Sequence, residues 1–109
     1  MSHSEVEIPF NYTEPRDVYS GRKTVTRRTE RYGAKAGMRM RAVFRDYSIV
    51  DLYITAAYNQ KLGDVSEDDA KREGYQSLDA FKKAWVQIHP GRGWDPEENV
   101  WVIEWKAPK

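Results

Sequence analysis

Residues 38–58, MRMRAVFRDYSIVDLYITAAY, decide the fold. Met38, Met40, Ala42 and Phe44 alternate with Arg39, Arg41, Val43 and Arg45. After Asp46-Tyr47-Ser48, Val50, Leu52, Ile54 and Ala56 alternate with Asp51, Tyr53, Thr55 and Ala57. Alternation with period two is the pattern of a half-buried strand. No helical crossover stands between these two runs, so they disfavour a parallel doubly wound sheet and favour a mainly antiparallel one.

Working outward, Thr24–Arg28 is a β-branched run with Thr26 and Arg28 on one face, and Glu5–Phe10 reads as a short opening strand. Between them Thr13–Ser20 suits a helix, with Thr13 as N-cap, Pro15 in the first turn and Gly21 past the end. Downstream the period changes. Ser66 followed by Asp69 is a variant capping box, Glu67, Asp68 and Asp69 suit a first helical turn, and Gly74 ends that helix. Ser77 caps a second helix whose stripe is Leu78, Phe81, Trp85 and Ile88, closed by His89 and Pro90. Gly91, Gly93 and Pro96 mark a loop, and Val100–Trp105 alternates as a closing strand. Five strands and about three helices follow: an α+β chain built as a small, mainly antiparallel β-barrel flanked by helices, in one domain over residues 1–109.

The chain has 109 residues and no Cys, which leaves room for one core and excludes a disulfide framework or a thiolate zinc site. The two His, His3 and His89, are too few and too scattered for a structural metal, so no metal or cofactor is expected. No run approaches a membrane span, and the polar start Met1-Ser2-His3-Ser4 lacks a signal-peptide apolar region, so the expected compartment is the cytoplasm. Oligomeric state is not written in these patterns. Net charge is only +1, but it is sorted by position: residues 21–45 hold nine basic side chains against one acidic. Such a stretch can present a local anion-binding surface. Arg22, Arg27, Arg28, Arg39 and Arg41 are candidates for phosphate contacts, with Tyr32 or Tyr47 able to stack an unpaired base and Trp94, in its loop, able to cover a pocket. The alternative is a solvated strand face balanced by the acidic segment Glu67–Glu73, with Trp94 plugging the core.

The octet Gly21-Arg22-Lys23-Thr24-Val25-Thr26-Arg27-Arg28, Gly37 ahead of a strand, Glu73-Gly74-Tyr75, Ser77, Leu78, Phe81, Trp85 and Val100–Ile103 together resemble the ASCH domain, from about Val6 to Trp105. The resemblance implies a PUA-like barrel and a partner that is RNA or a modified nucleoside. Some ASCH proteins are enzymes. In one branch, the small bacterial 4-acetylcytidine amidohydrolases, a Lys, a Thr three residues later and a Glu from the helical region carry the reaction, and these fall on Lys23, Thr26 and Glu73. A Thr hydroxyl attacks only after a base takes its proton, a role for Lys23, and Glu73 would pass a proton to the leaving amine. The same Lys and Glu would serve a ribonuclease. Residues three apart on a regular strand point to opposite faces, so Lys23 and Thr26 converge only if the chain bends or the Lys stem curls over. Gly74-Tyr75 and the longer loop Gly91–Pro96 depart from the amidohydrolase branch. Without the resemblance, Lys23 reads as a solvated charge, Thr26 as a strand residue and Glu73 as a helix-end carboxylate paired with an Arg.

Overall fold

In the computed structural model, which describes residues 5–106, the chain runs β1 (Glu5–Phe10), α1 (Pro15–Tyr19), β2 (Val25–Arg28), β3 (Arg39–Phe44), β4 (Ile49–Lys61), α2 (Glu67–Arg72), α3 (Leu78–Ile88) and β5 (Asn99–Lys106). His3 and the rest of the polar start lie outside the described residues. The decisive stretch forms the β3–β4 hairpin, with Met40 opposite Leu52 and Ala42 opposite Val50. The strand order is β1-β3-β4-β5-β2; β1 lies parallel to β3 and every other pair is antiparallel. The sheet curls as a half-barrel. Its edges, β1 and β2, do not pair with each other among the described residues, so the barrel has an open side.

Two apolar clusters hold the sheet. Ile8, Phe10, Met40, Phe44, Leu52 and Trp105 lie in the cluster inside the curl, and Phe10 meets Trp105 edge-on with ring centroids 5.7 Å apart. Leu62, Ala70, Phe81, Trp85 and Val100 form the second, under α2 and α3. β5 serves both: Val100 lies in the second cluster, Ile103 and Trp105 in the first. β4 outruns its expected end at Tyr58 and continues to Lys61, with a bulge between Ile54 and Ala56 that resets its register against β5. The first helix also differs from expectation. Its N-cap is Glu14 rather than Thr13, without a side-chain hydrogen bond, and Pro15 opens it. At α2 the expected capping box is present: Ser66 accepts from the Asp69 amide and the Asp69 side chain accepts from the Ser66 amide. No described helix is long and apolar enough to cross a membrane.

Candidate functional site

The C-terminal turn of α2 sets the site. Glu73 is its C-cap, Gly74 follows at φ 97°, and the amides of Gly74 and Tyr75 return to the carbonyls of Lys71 and Ala70 at 2.9 and 3.0 Å. These bonds satisfy the helix end as a Schellman turn, a conformation that needs glycine at its left-handed position. β2 enters alongside: the Thr24 amide donates to the Arg72 carbonyl at 2.8 Å and the Lys23 amide to the Asp17 carbonyl at 2.9 Å. The approach is close enough that a Cβ on Gly74 would lie 3.7 Å from that of Lys23.

Lys23 therefore points at the helix end, where Nζ donates to Glu73 Oε1 at 2.9 Å and to the Glu73 carbonyl at 3.1 Å. Arg27 reaches the other carboxylate oxygen, Nη1 to Oε2 at 3.1 Å, donates from Nε to Gln60 Oε1 at 3.0 Å, and holds Nη2 3.4 Å from Asp69 Oδ2. Lys23, Thr26, Arg27 and Glu73 are the buried polar residues among those described, and they are gathered at one place. Glu73 pairs with Lys23 and Arg27 rather than with Arg28. Burial alone would raise the Asp69 carboxyl, but hydrogen bonds from Arg72 and Ser66 and the charge of Arg27 outweigh it and hold it below the usual carboxylate range.

Lys23, Thr26, Arg27 and Glu73 line a cavity of about 220 Å³ at the open side of the barrel. Pro9 contributes from β1, Thr26, Arg27 and Arg28 from β2, Asn11, Tyr12 and Thr13 from the segment before α1, and Phe81, Trp85 and Ile88 from α3. Lys23, Thr26 and Glu73 thus share one cavity, although Lys23 and Thr26 are not hydrogen-bonded to each other. Thr26 and Arg28 occupy the same strand face, as alternation requires, and Arg28 Nε donates to Thr26 Oγ1 at 2.9 Å. The Arg28 guanidinium lies 4.7 Å from the ring centre of Phe10 and 5.8 Å from that of Tyr32. Burial lowers Arg28 from its ordinary value, partly offset by the Tyr32 phenol and the Glu73 charge. Burial and the same carboxylate push the Tyr75 phenol up.

Of the other sequence candidates, Tyr32 lines the cavity, and Arg22 lies beside it with Nη2 3.5 Å from the Gly74 carbonyl. Arg39 and Arg41 stand elsewhere, on the outer face of β3. There Arg39 sits between Glu5 and Tyr53, and Arg41 between Glu7 and Asp51, with Arg41 Nε 3.4 Å from Asp51 Oδ1. The face expected to be strongly cationic is thus interleaved with acids from both neighbouring strands, a charge pattern that period-two counting along one strand does not see. Trp94 packs edge-on against Phe81 at 6.2 Å, with Lys82 Nζ 5.2 Å above its ring, over the second cluster and outside the cavity lining. Tyr47 is 87% exposed at the β3–β4 turn.

Sequence reasoning missed Asn11, Tyr12, Tyr75 and His89 as cavity residues and Asp69 and Gln60 as partners of Arg27. The His89 ring stacks on Trp85 at 4.0 Å, and its Nδ1 lies 2.9 Å from the Trp85 carbonyl, a helix-end contact within reach of the cavity. Trp85 and His89 are i and i+4 on one helix, a spacing that could have flagged them together.

No family model and no curated protein matches the sequence. Solved structures do match its fold. An ASCH domain from Lactobacillus crispatus JV V101 aligns with TM-score 0.71 at 17% identity, over 93% of this chain and 79% of that chain. An ASCH protein from Zymomonas mobilis aligns with TM-score 0.68 at 16% identity, over 94% and 67%. A protein of Enterococcus faecalis V583 from the DUF984 family aligns with TM-score 0.62 at 20% identity, over 85% and 65%.

Proposed function

Starting from the premise that the chain has the fold of the ASCH-domain structures, we propose that its cavity binds one nucleoside unit, from RNA or as a free modified nucleoside. The observation that carries this reading is the convergence of the four polar side chains that are buried among the described residues on one small cavity with aromatic walls. Ordinary polar burial is scattered and individually satisfied. Here donors and a carboxylate stand together against Tyr12, Tyr32, Tyr75 and Trp85, the combination that reads the edge of a base while its faces rest on rings. At about 220 Å³ the space suits a single nucleoside unit rather than a strand.

Calorimetric titration with the four ribonucleosides, 4-acetylcytidine and short single-stranded RNA tests this. Saturable binding of at least one, weakened tenfold or more by Tyr75→Ala, is expected. Absence of binding to any of them would overturn it.

A second reading, amidohydrolysis of 4-acetylcytidine, is favoured by the sharing of one cavity by Lys23, Thr26 and Glu73. Lys23 is engaged twice by Glu73, so a Thr26 nucleophile would need Lys23 to pass a proton to the carboxylate 2.9 Å away before accepting one from the hydroxyl. Acetate release from 4-acetylcytidine, lost in both Thr26→Val and Lys23→Ala, would establish turnover. No release from the wild type would leave binding alone.

A further inference from the structure

The charges around the cavity do not balance, and the excess falls on one residue. Three cations line it: Lys23, Arg27 and Arg28. Lys23 and Arg27 are answered by Glu73 and Asp69 at 2.9 to 3.4 Å. Arg28 has no carboxylate partner among the described residues, and its strand neighbour Thr26 supplies only a neutral oxygen. A guanidinium removed from bulk water is costly unless an anion meets it, and its planar fork fits phosphate oxygens in pairs. Trp85 lines the cavity as well, and its Nε1 is a buried donor with no partner among the described residues. A guanidinium at the cavity with no carboxylate of its own, held only by a hydroxyl and two rings, describes a negatively charged guest. A second groove, which carries Glu14, Arg45 and Asp46, shares Asn11, Tyr12 and Thr13 with the cavity; its two carboxylates suit an uncharged part of such a guest rather than its anion.

We infer that Arg28 is an anion-binding residue and that the cavity takes a nucleotide, phosphate included, in preference to the neutral nucleoside. The identity of the anion as a phosphate rests on the nucleoside reading above; the demand for an anion does not. Arg28 would grip the phosphate while the polar cluster and rings hold the base.

Calorimetry should compare each ribonucleoside with its 5′-monophosphate, and with inorganic phosphate, on the wild type, Arg28→Gln and Arg28→Lys, all checked for folding by thermal unfolding. The preferred monophosphate should bind at least tenfold more tightly than its nucleoside. Arg28→Gln should bring that ratio close to one, whatever it does to the nucleoside affinity itself, and Arg28→Lys should keep part of it. If Arg28→Gln does not fold, competition on the wild type decides: inorganic phosphate should displace the monophosphate and leave the nucleoside bound. Equal affinity for nucleoside and monophosphate in the wild type, or a ratio unchanged in Arg28→Gln, overturns the inference. Arg28-dependent binding of phosphate without any nucleoside preference would uphold Arg28 as the anion-binding residue and overturn both the nucleotide and the nucleoside reading. A single-stranded ribo-oligonucleotide that binds more tightly than the monophosphate assigns the phosphate to a strand; one that binds no more tightly assigns it to a free nucleotide.

Discussion

Replacing Glu73 by Gln should destabilise the fold more than any other single polar substitution. The Glu73 side chain is 4% exposed and neutralises Lys23, 7% exposed, and Arg27, fully buried, at 2.9 and 3.1 Å. Gln keeps the shape and one acceptor oxygen but removes the charge, so one cation loses its hydrogen bond, Lys23 loses its counter-ion and Arg27 is left with Asp69 alone. Breaking a buried ion pair from one side costs about 3–5 kcal/mol. The retained oxygen and the nearby Asp69 put this case at the lower end. Against a domain stability on the order of 5–15 kcal/mol that is a large fraction. With a urea slope of roughly 1–3 kcal/mol per molar, the midpoint should fall by about 2 M. Urea unfolding followed by tryptophan fluorescence measures it, with an unchanged slope showing that the native state stays compact. The cycle with Lys23→Met separates the pair from the rest: the double variant should be less destabilised than the sum of the singles, because Met leaves no buried ammonium seeking a partner. A loss below about 1 kcal/mol for Glu73→Gln would refute the reasoning, since that is the scale of a solvent-screened surface pair.

Three further outcomes follow from neighbouring geometry. The Asp69 carboxyl titrates lower folded than unfolded, so its contribution is complete above its unfolded value near ~3.9 and disappears as pH falls through the folded one; the stability gap between wild type and Asp69→Asn, read by urea unfolding from pH 7 downward, should close only in that acid window. The Tyr75 phenol titrates higher folded than unfolded, so it stabilises the fold up to about pH 10 and loses that contribution as pH rises through its folded value; ultraviolet titration should show a late-ionising phenol that Tyr75→Phe removes, beside Tyr58, which burial and Glu104 also push up. At Gly63 an added Cβ would meet Pro96 Cβ and carbonyl oxygen at 2.9 Å, so Gly63→Ala should cost about 1–3 kcal/mol, the overpacking range, seen as a lowered urea midpoint.

The β3–β4 hairpin and α3 were legible because each buries one continuous face. Met40, Ala42 and Phe44 are all buried, and so are Phe81 and Trp85 at helical spacing. The end of β4 was not, because beyond Ala57 its side chains no longer alternate sharply and pairing with β5, rather than its own pattern, carries it to Lys61. The parallel pairing of β1 with β3 depends on residues thirty-odd positions apart, which periodicity cannot connect. Lys23, Thr26 and Glu73 came from the resemblance; nothing in β-propensity or charge counting singles them out. Arg27 and Arg28 read alike in sequence yet point to opposite faces, one into an ion-pair cluster and one against Phe10 and Tyr32. Arg39 and Arg41 show the reverse problem, in which local charge suggested a patch that cross-strand acids interleave.

The open side of the half-barrel and the polar cluster explain each other. A sheet whose edge strands fail to meet exposes its interior, and the simplest repair is an apolar plug; α3 supplies one with Phe81 and Trp85. Yet beside those rings the chain buries an ammonium, a guanidinium and a carboxylate, which apolar residues of similar volume would replace at little or no loss in stability. Local rules are broken where something besides stability is being served. The same turn that lets α2 end in glycine brings Glu73 within reach of β2, so a six-residue helix with its box-capped start acts as the bracket for the cluster. Arg28, lining the cavity with a hydroxyl and two rings but no carboxylate of its own, extends that conflict to the residue proposed here to meet an anion.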